Sequence, residues 1–357
     1  MHFYYLFASL PFVISLLWLV IILLGIKESG RHGRFLLVFA SACTVLYLCH
    51  FIHFSSGSTR VFSWIDGVWI LCNLSVYPLF YMYIKSLTTT EPVLSRLWWT
   101  LLPAGITGAA ALTINFAGGS EAVVVLAAKI LFPTEVILTA IYGLRELALY
   151  RRKVENFYAD TEGKTLSSIG ILFIFIVIMA LASSVANFLG RDRFFGNNSI
   201  AVPSVLFSSL LFALFHICSK VRFSAFDMLE NPSDEVAEEH DGMGDELYER
   251  IIALMEEKRL YLRPGLKITD LASETGSNRT YISGSINSNA GMSFSDFIQK
   301  YRIGHSMDLL RANPDMQVEE IAEKSGYMNR TSFYRCFGKI AGCSPKEWLK
   351  RNQKAEK

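Results

Sequence analysis

Apolar and polar positions divide this 357-residue chain near Lys220. Before that point apolar residues run in stretches of about twenty, the length that carries a helix across a hydrocarbon core. Seven stretches qualify: Phe3 to Ile26, Phe35 to Phe54, Phe62 to Ile84, Leu97 to Phe116, Ala122 to Leu144, Leu166 to Leu189 and Ile200 to Ser219. The fourth is the most interrupted, by Pro103, Gly105 and Gly108. After Phe226 apolar residues return only at helical spacing. Leu247, Ile251, Leu254 and Met255 fall at i, i+4, i+7 and i+8 behind Asp245, a candidate N-cap. One phrase then occurs twice. Ile268-Thr269-Asp270-Leu271-Ala272 leads to Gly276 and on to Tyr281-Ile282 and Ile286; Val318-Glu319-Glu320-Ile321-Ala322 leads to Gly326 and on to Phe333 and Phe337. Each has the layout of a helix-turn-helix: the alanine lets two helices cross closely, the glycine takes the turn, and the later apolar residues seat the second helix. A long amphipathic helix from about Phe294 to Arg311 joins the copies. The expected fold is all-α, a seven-helix transmembrane bundle (1–222), a flexible linker (223–244) and a domain with two helix-turn-helix units (245–357).

Composition sharpens this division. Hydrophobic residues make up 52% and charged residues 18%, too apolar for an ordinary soluble protein. Between Asp227 and Asp241 seven acids stand without a Lys or Arg, and no apolar period is present, as expected of a solvated tether. From Gly242 to Lys357 there are 18 basic against 15 acidic residues, a mild excess of three. The six cysteines show neither CxxC spacing nor a paired framework and read as reduced apolar fillers. The first apolar run lacks a basic leader and a small-residue cleavage site, so it is expected to stay as a spanning helix rather than leave as a signal peptide.

Alternate loops differ in charge. One set holds Lys27, Arg31, Arg34, Lys85, Arg96, Arg145, Arg151, Arg152, Lys153, Lys164, Lys220 and Arg222; the other holds only Arg60, Arg191 and Arg193. Basic residues resist translocation, so twelve against three places the first set in the cytoplasm, the N-terminus outside and everything after the seventh span inside. Ionisable groups at membrane depth are costly and often functional. The candidates for intramembrane sensing are Lys129 and Glu135 around Pro133, where an ion pair, structural or sensory, is considered, His50 and His53 one turn apart, and Asp66. Snorkelling of Lys129 and hydration of Asp66 are the plain alternatives, and the two histidines lack a third ligand for a metal.

The residues Gly326-Tyr327, Phe333, Phe337, Gly342, Ser344-Pro345 and Trp348, with Tyr301-Arg302-Ile303 and Leu309-Leu310 in the connector, resemble the AraC/XylS family of bacterial transcription regulators over about Leu247 to Asn352. The resemblance implies two recognition helices entering successive major grooves of promoter DNA. Such helices need small or polar side chains near their N-termini and basic residues for phosphate. The first, beginning near Asn278, would present Arg279, Thr280, Ser283, Gly284 and Asn287. The second would present Asn329, Arg330, Thr331, Tyr334, Arg335 and Lys339. Tyr281, Ile282, Ile286, Phe333 and Phe337 are expected in the core. Gly284 stands where the family often carries a longer, commonly basic side chain. Leu349-Lys350 replaces the arginine expected after the aromatic, with Lys350 or Arg351 as substitute phosphate anchors. Arg335 is the strongest single candidate for a DNA contact, and an ion pair with Glu319 or Glu320 is its structural alternative.

The sequence therefore points to a multi-pass regulator of the bacterial inner membrane. Its expected partners are double-stranded promoter DNA, the lipid bilayer, an unnamed small-molecule or membrane signal and a second copy of the chain in a homodimer. The rivals are a transporter or channel with a regulatory DNA-binding tail, and a passive anchor. No phosphate loop, metal-ligand pattern, or nucleophile-and-base cluster stands in the polar part, so neither enzymatic activity, nor a metal site, nor a cofactor is expected.

Overall fold

The computed structural model describes residues 2–25, 30–55, 64–117, 122–189, 201–221 and 243–355. The linker expected at 223–244 lies, up to residue 242, outside the described residues, as do Lys27, Arg60, Arg191, Arg193 and Arg222. Regular structure among the described residues is helical apart from one isolated antiparallel bridge between Tyr158 and Lys267. The chain divides into two compact units: a bundle unit of 1–148 and 166–227, and a C-terminal unit of 149–165 and 228–357.

The bundle unit contains α1 (His2–Gly25), α2 (Gly30–Ser55), α3 (Trp64–Thr88), the short α4 (Val93–Leu97), α5 (Leu102–Phe116), most of α6 (Ala122–Phe157), α7 (Ser167–Leu189) and α8 (Ala201–Lys220). Among the described residues, seven helical stretches are long and apolar enough to cross a membrane, with Val93–Phe116 counting as one. That fourth stretch breaks into a 3-10 turn at Trp98–Leu101 before Pro103. Proline disfavours α-helix in the residue before it but fits the first turn of a new helix, so the chain restarts as α5 there. Leu6, Val13, Ile171, Phe175 and Ile178 face outward, as a surface solvated by lipid requires.

Small residues set the closest packing. A Cβ placed at Gly108 would stand 2.8 Å from the Leu71 side chain, so α5 and α3 approach as they do because position 108 has none. The bundle has two chemically distinct ends. At one, the Arg31 guanidinium donates to the carbonyls of Thr90, at 2.6 Å, and Glu91, while Lys85 meets Glu146 at 2.8 Å. At the other, the Trp69 indole N–H donates to His50 Nε2 at 3.0 Å, and His53 lies 3.9 Å from Asp66.

Helix α6 corrects the expected boundary, running to Phe157 instead of stopping at Leu144. Beyond the apolar stretch it keeps a buried stripe of Leu147, Tyr150 and Val154, and Arg151 pairs with Glu155 one turn on at 2.7 Å. Hydropathy marks where a span ends, and the helix has no reason to end there.

In the C-terminal unit, α9 (Met243–Glu256) precedes α10 (Ile268–Thr275), α11 (Arg279–Ala290), the connector α12 (Phe294–Ala312), α13 (Val318–Lys324), α14 (Arg330–Ala341) and α15 (Pro345–Ala355). Because α9 begins at Met243, Asp245 sits in its first turn and not at the cap, still favourably placed against the helix dipole. Two cores share the connector. Phe294, Phe297 and Ile298 join the first, with Ile251, Leu271, Ile282 and Ile286; Ile303 and Leu310 join the second, with Ile321, Phe333 and Phe337. Each helix-turn-helix thus packs on its own half of one helix.

Candidate nucleic-acid interface

Both candidate reading helices start the same way. Asn278 caps α11 by accepting from the Tyr281 N–H at 3.0 Å, and Asn329 caps α14 by accepting from the Ser332 N–H at 2.8 Å. The tripeptide Asn-Arg-Thr stands at each cap, 278–280 and 329–331. It marks both starts in the sequence, a shared signal beyond the alanine, glycine and apolar pattern. The turns before them hold Gly276 and Gly326 in the left-handed region, φ +66° and +81°.

On α11, Thr280, Gly284 and Asn287 are exposed, Arg279 and Ser283 half-buried. The Asn287 amide donates to the Ser283 hydroxyl at 3.3 Å. Nothing lies within 4 Å of where a Gly284 Cβ would be, so packing does not demand glycine there. Ile282 and Ile286 are fully buried. Tyr281, expected beside them, is instead exposed. One residue is a turn of about 100°, so a phase that seats Ile282 and Ile286 carries their neighbour off the buried face.

On α14, Asn329, Arg330, Thr331, Arg335 and Lys339 are exposed and Tyr334 half-buried. The ion pair considered for Arg335 belongs to Arg330, whose guanidinium meets Glu319 at 2.6 Å and lies over the Tyr334 ring. Glu320 pairs with Lys324 at 2.9 Å and Lys339 with Asp296 at 2.6 Å. Arg335 forms no ion pair among the described residues, which leaves its charge available to a phosphate or a base edge. Past the second helix, Lys346, Lys350 and Arg351 are also exposed.

A part of the site with no signal in the sequence lies in 158–162, the connection between α6 and α7. This segment is part of the C-terminal unit. Its Ala159 N–H donates to the Leu266 carbonyl at 3.0 Å, and its carbonyl accepts from the Ser295 hydroxyl and the Gln299 amide at 2.8 and 3.0 Å. Asp160 meets Arg302, a fully buried arginine that belongs to the family pattern, at 2.8 Å. The same guanidinium donates to the carbonyls of Tyr261 and Arg263 at 2.6 and 2.8 Å, and the second Asp160 oxygen accepts from Gly265 N–H at 3.2 Å. A buried charge is tolerable only when so fully answered. Finally the Glu162 carboxylate accepts from the hydroxyl of Ser332, in the first turn of α14.

The polar residues of the apolar helices separate. His50, His53 and Lys129 line one cavity of about 600 Å³ inside the bundle unit. Asp66 is reached through His53. Glu135 lies apart, both carboxylate oxygens buried and without a hydrogen-bond partner among the described residues. The ion pair considered between Lys129 and Glu135 does not form: six residues on a helix rotate by about 240°, which turns the two side chains to different faces.

Comparison with known proteins agrees with the geometry of the C-terminal unit. A helix-turn-helix domain family matches residues 271–351, from within α10 to within α15. The chain is 35% identical over 80 residues to a protein of Bacillus subtilis (strain 168) named as an uncharacterized HTH-type transcriptional regulator, YtdP; the match covers 22% of this chain and 10% of that protein. No solved structure is significantly similar. Two capped helices, two turn glycines and one shared connector, together with these matches, make residues 271–351 of this chain a helix-turn-helix domain of AraC type.

Proposed function

We propose that the chain is a multi-pass regulator of transcription in the bacterial cytoplasmic membrane, N-terminus outside, whose α11 and α14 read promoter DNA on the inner side. The functional division follows the sequence: membrane part to 222, tether 223–244, DNA-binding domain from 245. Support for the orientation comes from the loop charges, twelve against three, and from the odd number of spans. An even number would set the reading helices on the side without DNA.

The observation that carries regulation, as opposed to mere anchoring, is the connection 158–162. A loop between two apolar helices supplies the counter-ion of the buried Arg302 at the centre of the connector α12 and a carboxylate to the first turn of α14. Helix N-termini attract phosphate, and recognition helices meet DNA near that end. In this state Glu162 holds negative charge where the DNA backbone must come. A signal that shifts α6 or α7 would move this strap, release the helix end and raise occupancy of promoter sites; a second copy of the chain would supply another pair of reading helices.

Mapping of DNA bound genome-wide in cells carrying the full chain tests the reading. Enrichment at a set of promoters, lost with Arg335→Ala, is expected. Uniform background, or fusions that report the C-terminus outside the cell, would overturn it.

A further inference from the structure

The cavity in the bundle unit has a polar mouth and an aromatic floor. In an up-and-down bundle the end of α2 lies level with the start of α3, the start of α6, the end of α7 and the start of α8. The polar residues lining that level are His50, His53, Trp69, Asn73, Lys129, Asn187 and Ser204, beside the apolar Ala186, Phe188 and Pro203. At the opposite level the rings of Phe39, Phe80 and Phe173 close the floor, with centroids 5.1 Å apart from Phe39 to Phe80 and from Phe80 to Phe173. From His50 to Phe39 the wall is eleven residues of helix, roughly 16 Å at 1.5 Å each. Lys129 is half-buried on this wall and forms no ion pair among the described residues.

From this gradient we propose that the cavity binds an amphipathic anion: a carboxylate or phosphate head held by Lys129 at the mouth, and an apolar body laid toward the phenylalanine floor. A volume of about 600 Å³ lies in the range of small-molecule sites. An ammonium in no ion pair among the described residues selects the sign of the head. The closed floor selects a tail of medium length. The mouth is at the end of the bundle bearing the cation-poor loops, the outer end under the proposed orientation, so the inference rests on that reading for the side of entry and on nothing else in it. Two sources share this chemistry, a free amphiphile and an anionic lipid of the bilayer.

The test uses the full chain in nanodiscs and reads ligand binding without DNA, so its failure is separable from failure of the DNA-binding reading. In phosphatidylcholine discs, bromododecanoate is expected to quench tryptophan fluorescence saturably, with the quenched fraction carried by Trp69 and lost in Trp69→Phe. Lys129→Gln should weaken binding about tenfold or more, the worth of a charged hydrogen bond, and Lys129→Arg should retain it. Bromododecanol, which partitions into lipid without the charge, should give only non-saturable quenching. If phosphatidylglycerol discs suppress bromododecanoate binding in the wild-type protein but not in Lys129→Gln, the natural occupant is the lipid; if they leave it unchanged, the occupant is a free amphiphile. Equal binding of acid and alcohol, or an unchanged affinity in Lys129→Gln, would overturn the proposal.

Discussion

The two helix-turn-helix units share a backbone plan and differ in what they offer. Each has an alanine crossing, a left-handed glycine and an asparagine cap on an Asn-Arg-Thr start. Yet α11 carries one cation, Arg279, among serine, glycine and asparagine, whereas α14 carries Arg330, Arg335 and Lys339. Phosphate attraction supplies much of the affinity of a DNA-binding protein, and polar side chains at base edges supply specificity. The first helix thus offers a mostly neutral polar surface, whereas on the second Arg330 and Lys339 are paired with Glu319 and Asp296 and Arg335 is in no ion pair among the described residues. The strap respects this difference: its Ala159 packs in the core of the first unit, while its acidic Glu162 reaches the cationic helix of the second.

The largest effect should come from the ion pair at the middle of the connector α12, within the C-terminal unit. Arg302 has no exposure, and removing its partner by Asp160→Ala leaves a buried charge with its two carbonyl bonds but no counter-ion, a loss of about 3–5 kcal/mol. Chemical denaturation of the C-terminal unit within the full chain reads this. Combining Asp160→Ala with Arg302→Met should recover much of the loss; a single substitution without effect would mean that the strap is not seated as described.

Next come the turn glycines, which differ between units. Alanine at position 326 meets the Leu262 carbonyl oxygen at 2.7 Å and also bears a left-handed φ, whereas at 276 nothing lies within 4 Å. Gly276→Ala should cost about 1–2 kcal/mol from the backbone alone, and Gly326→Ala about 2–4 kcal/mol with overpacking added. Equal costs in thermal unfolding would remove the packing difference.

Function should divide in the same direction. Arg335→Ala is expected to lose about 1–3 kcal/mol of DNA affinity if it reads a base, and an equal loss on specific and random duplexes would make it a phosphate contact. Glu162→Gln should tighten binding by about 1 kcal/mol, one like charge withdrawn from near a phosphate, with a steeper salt dependence as the mark of electrostatics. Unchanged affinity would leave the Ser332 contact a structural one.

The features legible in the sequence are local. Seven apolar stretches, the repeated phrase and the candidate reading residues each depend on neighbours within a few turns, and the structure has helices at each. The departures are of two kinds. Tyr281 differs from expectation by one residue of helical phase, which a polar surface such as that of α11 fixes poorly. The strap is invisible in sequence because Asp160 and Arg302 are 142 positions apart and neither has a local signature. Asp160 stands beyond a basic helical segment that hydropathy treats as loop. Arg302 fits a family pattern, which says that an arginine belongs there without saying what it holds.

The smallest expected effect bears most directly on how the first unit reads. Gly284 lies mid-helix on an exposed face with open space where a side chain would go. Gly284→Ala should stabilise the fold by about 0.8–1 kcal/mol, since alanine restricts the unfolded chain and meets nothing. That such a gain is available points to a use for the missing side chain, and DNA binding decides which. If the backbone of α11 approaches the groove floor at 284, Gly284→Ala will raise the melting temperature and lower specific affinity, with Gly284→Leu lowering it further. If the first unit only fits loosely against the duplex, both substitutions will leave affinity unchanged, and sequence reading then belongs to α14.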